Sequence, residues 1–285
     1  MLNEKEIAAV IRLLDDPDEH IYNQIEDKIL SYGSVVISYL EDAWSQSFDA
    51  ILQKRIENLV HKIQFNDVKE DLALWHQSGN FDLLRGILIV NKYQYPDLDE
   101  QKIINQIECI KRDVWLLMMY EASPVETVKI MNNVFFNVYK FSGNTTNHTD
   151  PQNSYISQVL ESKKGNQISL AIIYSIVAQK LDLPIYGVNL PQHFILGYVD
   201  ESEKESDKAE VLFYINAFNK GYMFDKKDID QFLRQLKIEP TEHFYQSCSN
   251  AEIIKRVLRN LISSYQKSGL DDKAAEVEEL LDILL

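Results

Sequence analysis

From Gln167 to Leu181 the chain reads QISLAIIYSIVAQKL, a run of helical length that is apolar on nearly every face. A helix without a polar stripe cannot lie on a surface, so other elements have to wrap it and make it the axis of a core. What surrounds it is legible too. Up to about Tyr139 the pattern is helical, whereas after Leu183 the hydrophobic period falls toward two in IYGVNL, HFILGYV and VLFYINAF, which are β-rich, aromatic and separated by turn signals. The expected fold class is α+β, mostly helical, with a small antiparallel sheet packed on one central helix.

Four stretches follow along the chain. Residues 1–70 carry an apolar helix ending at an Asp-Pro-Asp turn, a second ending at Tyr32-Gly33, and a third with Val36, Ile37 and Leu40; they are similar to one HEAT-type repeat or to an ordinary helical bundle. Residues 71–140 add the period of Ile103, Ile107, Ile110, Val114 and Leu117, expected to run from Asp99 to Tyr120. They also hold the clearest helix start, SPVETVKIMNNVFF, where Ser123, Pro124 and Glu126 can form a capping box. Residues 141–240 begin with a polar loop, KFSGNTTNHTDPQNSY, and contain the central helix and the strands, with DESEKESDKAE expected as a solvated hairpin loop. Residues 241–285 close as a helical hairpin across Ser268-Gly269, resembling one tetratricopeptide-type unit with Gly269 as a left-handed C-cap.

Charge narrows the partners. Forty-four acidic against 29 basic residues leave a formal charge of −15, which repels phosphate backbones and anionic lipid over a Debye length of roughly 10 Å. Nucleic acid and membrane are therefore not expected as partners. The start MLNEKEIAAVIRLLDD is acidic and helical where a secretory signal needs a basic start and an unbroken apolar run, and no apolar stretch approaches the ~18 residues of a spanning helix, so the expected location is cytoplasmic. With only Cys109 and Cys248 there is no disulfide framework, and Cys109 is expected as a small core or flank residue of its helix. His148, Asp150 and His193 are too few and too scattered for a metal set, and the nine glycines form no phosphate-binding loop, so no cofactor is expected.

The stretch KKGNQISL, followed by LPQHF, has the outline of a thiol site. A cysteine at a helix N-terminus is activated because unpaired N–H groups and the helix dipole favour its thiolate; a histidine on a neighbouring element serves as base, and an Asp or Asn orients that imidazole. Here a glycine turn opens the helix, His193 opens a strand after Pro191, and Asn216 lies on the next strand. Ser169 is a candidate replacement nucleophile, but at 100° per residue it points about 200° around the helix from Gln167, away from His193.

Taken together, NHTDPQNSYISQVLESKKGNQISLAIIYSIVAQKLDLPIYGVNLPQHFIL and INAFNKG resemble the SirB-type branch of the transglutaminase-like superfamily, a branch shared with the central domain of some eukaryotic F-box proteins. The resemblance extends over about Asp71 to Leu285, with Gly165, His193 and the Asp-Pro-x-Asn-Ser run as its most specific features. It implies a transglutaminase-like core at 141–240, with the nucleophile position at Gln167, the base at His193 and the acid at Asn216. Two of those three are changed, and the SirB-type branch commonly lacks the cysteine.

A carboxamide is neither acidic nor nucleophilic, so acyl-enzyme chemistry at Gln167 is closed. The expected function is a catalytically silent binding or regulatory module for a protein or peptide partner, with Asn166, Gln167, Ser169, His193 and Asn216 as its ligand cleft. Two other readings stand beside it: a hydrolase or amidase using His193 as base with water or Ser169 as nucleophile, and a helical adaptor in which the sheet is only structural.

Overall fold

A computed structural model describes residues 4–79, 81–118, 122–147, 149–200 and 210–285. The chain divides into two compact units, residues 1–74 and 75–285.

In the first unit α1 (Glu4–Ile11), α2 (Glu19–Leu30) and α3 (Ile37–Gln46) precede the long α4 (Ala50–Gln77). Their apolar stripes meet in one core that includes Ile7, Leu14, Ile29, Leu40, Ile56 and Leu59, each at most 1% exposed. The Asp-Pro-Asp turn is fixed from both sides. Asp18 caps α2 by accepting from the His20 amide at 2.8 Å, and the Arg55 guanidinium donates to the carbonyls of Leu14 and Asp16 at 2.7 and 2.8 Å.

The second unit opens with α5 (Leu83–Gln94), α6 (Glu100–Leu117) and α7 (Pro124–Asn132). The capping box at Ser123 and Glu126 is present, and α7 widens into a π-helical turn over Asn133–Val138 that carries the buried Val134, Phe135 and Phe136. Residues 119–121, where the helix of 99–120 was expected to end, fall outside the described residues, as do His148 and most of the acidic hairpin loop, 201–209. After α8 (Ile156–Ser162) comes the central helix α9 (Gln167–Gln179). Every residue of α9 from Ile168 to Ala178 is buried, and each buried Ile, Leu or Val side chain contributes about 1.5–3 kcal/mol relative to exposure.

Four strands follow as an antiparallel meander: β3 (Ile185–Leu190), β4 (His193–Val199), β5 (Val211–Asn216) and β6 (Tyr222–Phe224). The last is a strand the sequence pattern does not reveal. Nor does it reveal a two-residue parallel pair, β1 (Ser142–Gly143) with β2 (Lys164–Gly165). Alternation along the strands sends Val188, Leu190, Ile195 and Tyr214 to one face, against Ile229 and Leu233 of α10 (Lys226–Gln235). The alternate residues Ile185, Phe194, Leu196 and Ile215 are buried on the other face, where Phe194 and Ile253 of α11 (Asn250–Lys267) both close on Gly187. A Cβ at Gly187 would lie 2.6 Å from the Phe194 ring and 2.9 Å from Ile253, so only glycine admits this packing. The chain ends with α12 (Asp271–Asp282) paired to α11 across Gly269 at φ +70°, and no described helix is long and apolar enough to cross a membrane.

Candidate functional site

The start of α9 is held from its own backbone outward. Asn166 is the N-cap: its Oδ1 accepts from the Ser169 amide at 2.9 Å, and the Asn166 amide donates to Ser169 Oγ at 3.0 Å, a reciprocal capping box. The remaining donor of that side chain, Nδ2, reaches Ser154 Oγ at 2.9 Å. Ser154 and its neighbour Asn153 are buried in a 3₁₀ turn over Pro151–Ser154 whose cap is Asp150, accepting from the Gln152 amide at 2.9 Å. The Asp-Pro-x-Asn-Ser run is thus the brace that positions the helix start. Gly165 completes it: a Cβ there would sit 2.6 Å from Ser169 Oγ and 3.0 Å from Val159.

These contacts redefine two of the expected cleft residues. Asn166 has its amide engaged on both ends, and Ser169 is fully buried with its hydroxyl between the Asn166 amide and the Asn166 carbonyl at 3.3 Å. Ser169 is thus closed to a ligand, and Asn166 is committed to the cap and to Ser154. Gln167 differs: it is the first residue of α9, half-buried, and its side chain makes no hydrogen bond among the described residues.

The topology returns the other two residues to one end of the sheet. His193 begins β4 after a two-residue turn in which Gln192 adopts φ +60°, and Asn216 ends the antiparallel β5. No hydrogen bond joins their side chains among the described residues. His193 pairs with Leu190 across the hairpin, which puts it on the α10 face, and its ring packs on Phe232 with centroids 4.8 Å apart. Burial, and then the nearby Arg256 guanidinium, push its pKa below the usual imidazole value. Asn216 instead holds the β5–β6 turn, its Oδ1 accepting from the Asn219 amide at 3.0 Å. No hydrogen bond joins Gln167, His193 and Asn216 among the described residues. Each of the two residues has a local contact of its own, His193 with the Phe232 ring and Asn216 with the turn amide of Asn219.

One polar group at this end escaped the sequence reading. Arg256 on α11 donates to Asn189 Oδ1 at 3.1 Å, is half-buried, and forms no ion pair among the described residues. Burial lowers its pKa from the ordinary guanidinium value. The periodicity of α11 marks Arg256 only as a helix-flank cation. Cys248, just before the Ser249 cap of α11, is the opposite case, since burial pushes its thiol up to about 12 despite the adjoining helix start. Cys109 is exposed on α6, a flank residue. No group of three His, Cys, Asp or Glu able to hold a metal occurs among the described residues.

A central helix starting at the end of an antiparallel meander, with a histidine at the first hairpin, is the frame of a transglutaminase-like protein. The family model described as the Transglutaminase-like superfamily matches residues 101–259, from α6 into α11, and the chain belongs to that superfamily. Its relatives place it in the SirB-type branch. It is 28% identical over 228 residues to a UPF0162 protein of Xylella fastidiosa (strain 9a5c), covering 72% of this chain and 74% of that one. It is 24% identical over 207 residues to Protein SirB1 of Salmonella typhimurium, covering 71% and 74%. The human F-box only protein 21 is 28% identical over 160 residues, 56% of this chain but 25% of that one. No solved structure matches the chain.

Proposed function

We propose that this chain is a transglutaminase-like protein without acyl-transfer chemistry, serving as a binding or regulatory module for a protein or peptide partner. The observation that carries the reading is the start of α9. The position the resemblance gives to the thiol holds Gln167, and the hydroxyls beside it, Ser169 inside the capping box and Ser154 in the brace, are buried. His193 packs on Phe232, burial lowers its pKa, and among the described residues it makes no hydrogen bond to Gln167 or Asn216. Arg256 favours recognition over a purely structural role, because a half-buried guanidinium without a carboxylate partner retains the capacity to bind an anionic group.

The test is hydrolysis of p-nitrophenyl acetate and of a glutamine-containing peptide by the wild-type chain and by His193→Ala. Equal rates, at the level of a protein of the same histidine content, are expected. Turnover that disappears in a folded His193→Ala variant overturns the reading. In parallel, Gln167→Cys is expected to give a thiol more acidic than the free-cysteine value of about 8.5, because it gains a helix start that is already built.

A further inference from the structure

Two cavities lie side by side along α6. One, of about 490 Å³, runs between the Tyr95–Leu98 turn and α8, where it is lined by Ser157, Gln158 and Glu161. The other, of about 460 Å³, continues past Asn105 and Cys109 to Tyr139 and Lys163. Asp99, Lys102 and Gln106 belong to both, so a chain lying in one leads into the other.

Unlike the start of α9, this groove holds polar side chains that have no protein partner among the described residues. Ser157 Oγ is buried without a hydrogen-bond partner. The carboxamides of Gln106 and Gln158 and the ammonium of Lys102 make no side-chain hydrogen bond or ion pair among the described residues. Lys163 closes the far end. It is the left-handed C-cap of α8 at φ +61°, and its ammonium donates to the Leu160 carbonyl and lies 4.9 Å over the Phe141 ring and 5.8 Å from that of Tyr139, with no ion pair to a carboxylate among the described residues. The Tyr139 hydroxyl is engaged by Asp113 at 2.7 Å, so Tyr139 offers only its ring. Asp99, the one acid of this cavity, has its Oδ1 on the Lys102 amide at 2.9 Å. A partly desolvated ammonium without a counter-ion is unfavourable, and a carboxylate supplied by a ligand relieves it.

We propose that this groove binds an extended peptide, with a carboxylate held between Lys102 and Lys163 and its main chain running along Gln106 and Gln158 toward Ser157. Carboxamides suit a peptide main chain because each offers both a donor and an acceptor. Asp97 and Glu161, at the other end, favour a basic residue upstream and disfavour polyacidic segments. The carboxylate comes from the peptide's C-terminus or from an Asp or Glu side chain. The proposal gives the binding reading a surface and a ligand, yet it stands apart from the start of α9: hydrolytic activity there would leave it intact, and its failure would leave the hydrolysis assays unaffected.

Fluorescence polarisation with three labelled pools of short mixed-sequence peptides tests it. The first pool has a free C-terminus and no Asp or Glu, the second is the same pool amidated, and the third is amidated with an Asp at the last position. Binding of the first or third pool about tenfold tighter than the second is expected, and which of the two gains identifies the carboxylate's source. Lys102→Met with Lys163→Asn, which keeps a residue tolerant of the left-handed cap, is expected to remove that difference, and Lys163→Arg to retain it. Circular dichroism of each variant secures its fold. Equal binding of all three pools, no binding by any, or a preference that survives the double variant overturns the proposal.

Discussion

The start of α9 and the groove along α6 are both polar places at helix N-terminal halves, and they differ in what is left over. At α9 Asn166, Ser169 and Ser154 bind one another in a closed set, whereas at α6 the side chains of Lys102, Gln106, Gln158 and Ser157 have no hydrogen-bond or ion-pair partner among the described residues. A buried polar group that is matched internally specifies the fold; one left unmatched carries an unfavourable energy that a ligand can remove. The internally matched groups thus lie at the start of α9, and the unengaged ones lie along α6.

The sharpest way to break this contrast is Asn166→Ala. Loss of the cap and abandonment of the buried Ser154 hydroxyl together are expected to cost about 2–4 kcal/mol in a urea melt. Asn166→Asp, which retains the acceptor for Ser169, should cost less. A change below about 0.5 kcal/mol for the alanine variant would show that the brace is not what holds the helix. Next comes Gly165→Ala, expected to cost about 1–3 kcal/mol because its Cβ would stand 2.6 Å from Ser169 Oγ, the buried cap it crowds.

A smaller effect concerns His193. Its folded pKa is lowered, so between the unfolded value of about 6.5 and the folded value only the unfolded ring takes up a proton. The stability associated with this ring is complete above that window and declines as pH falls through it. A shallower loss of denaturant midpoint from pH 7 to pH 5 in His193→Gln than in wild type is the expected sign, and identical slopes would count against burial. Thiol titration should separate the two cysteines, with Cys109 reacting with Ellman's reagent in the native chain and Cys248, raised to about 12, only after unfolding. A groove-bound peptide should slow the Cys109 reaction, since that residue lines the cavity. Smallest of all, Lys102→Met is expected to change stability by less than about 0.5 kcal/mol, because its exposed ammonium holds nothing in the free chain.

Much of the fold was legible because it rests on periodicity and local caps. The all-round apolar run of α9, the Ser123 capping box and the Gly269 turn are each determined within a few residues. What escaped depends on distant partners. β6 is three residues long and exists through pairing with β5, and the β1–β2 pair joins segments twenty-two residues apart, Ser142 with Lys164. The site was half legible. Gln167 and His193 fall at the helix start and the strand start read from the chain, but the face a strand residue takes is set by register, and the register turns His193 toward Phe232. Groove residues from Tyr95 to Lys163 share no sequence signature, since they come together from α6, α8 and two turns only through packing.

The two-residue pair of β1 and β2 carries a further implication. Ser142 donates to the Lys163 carbonyl at 2.9 Å and Asn144 to that of Gly165 at 2.8 Å, and the Asn166 amide also reaches the Asn153 carbonyl at 3.4 Å. Main-chain groups, which every non-proline residue possesses, therefore tie down the approach to position 167, and its side chain takes no part. Drift can exchange the residue there without unmaking the architecture around it. A substitution at 167 therefore alters the chemistry offered at the helix start while the main-chain frame around it stays in place.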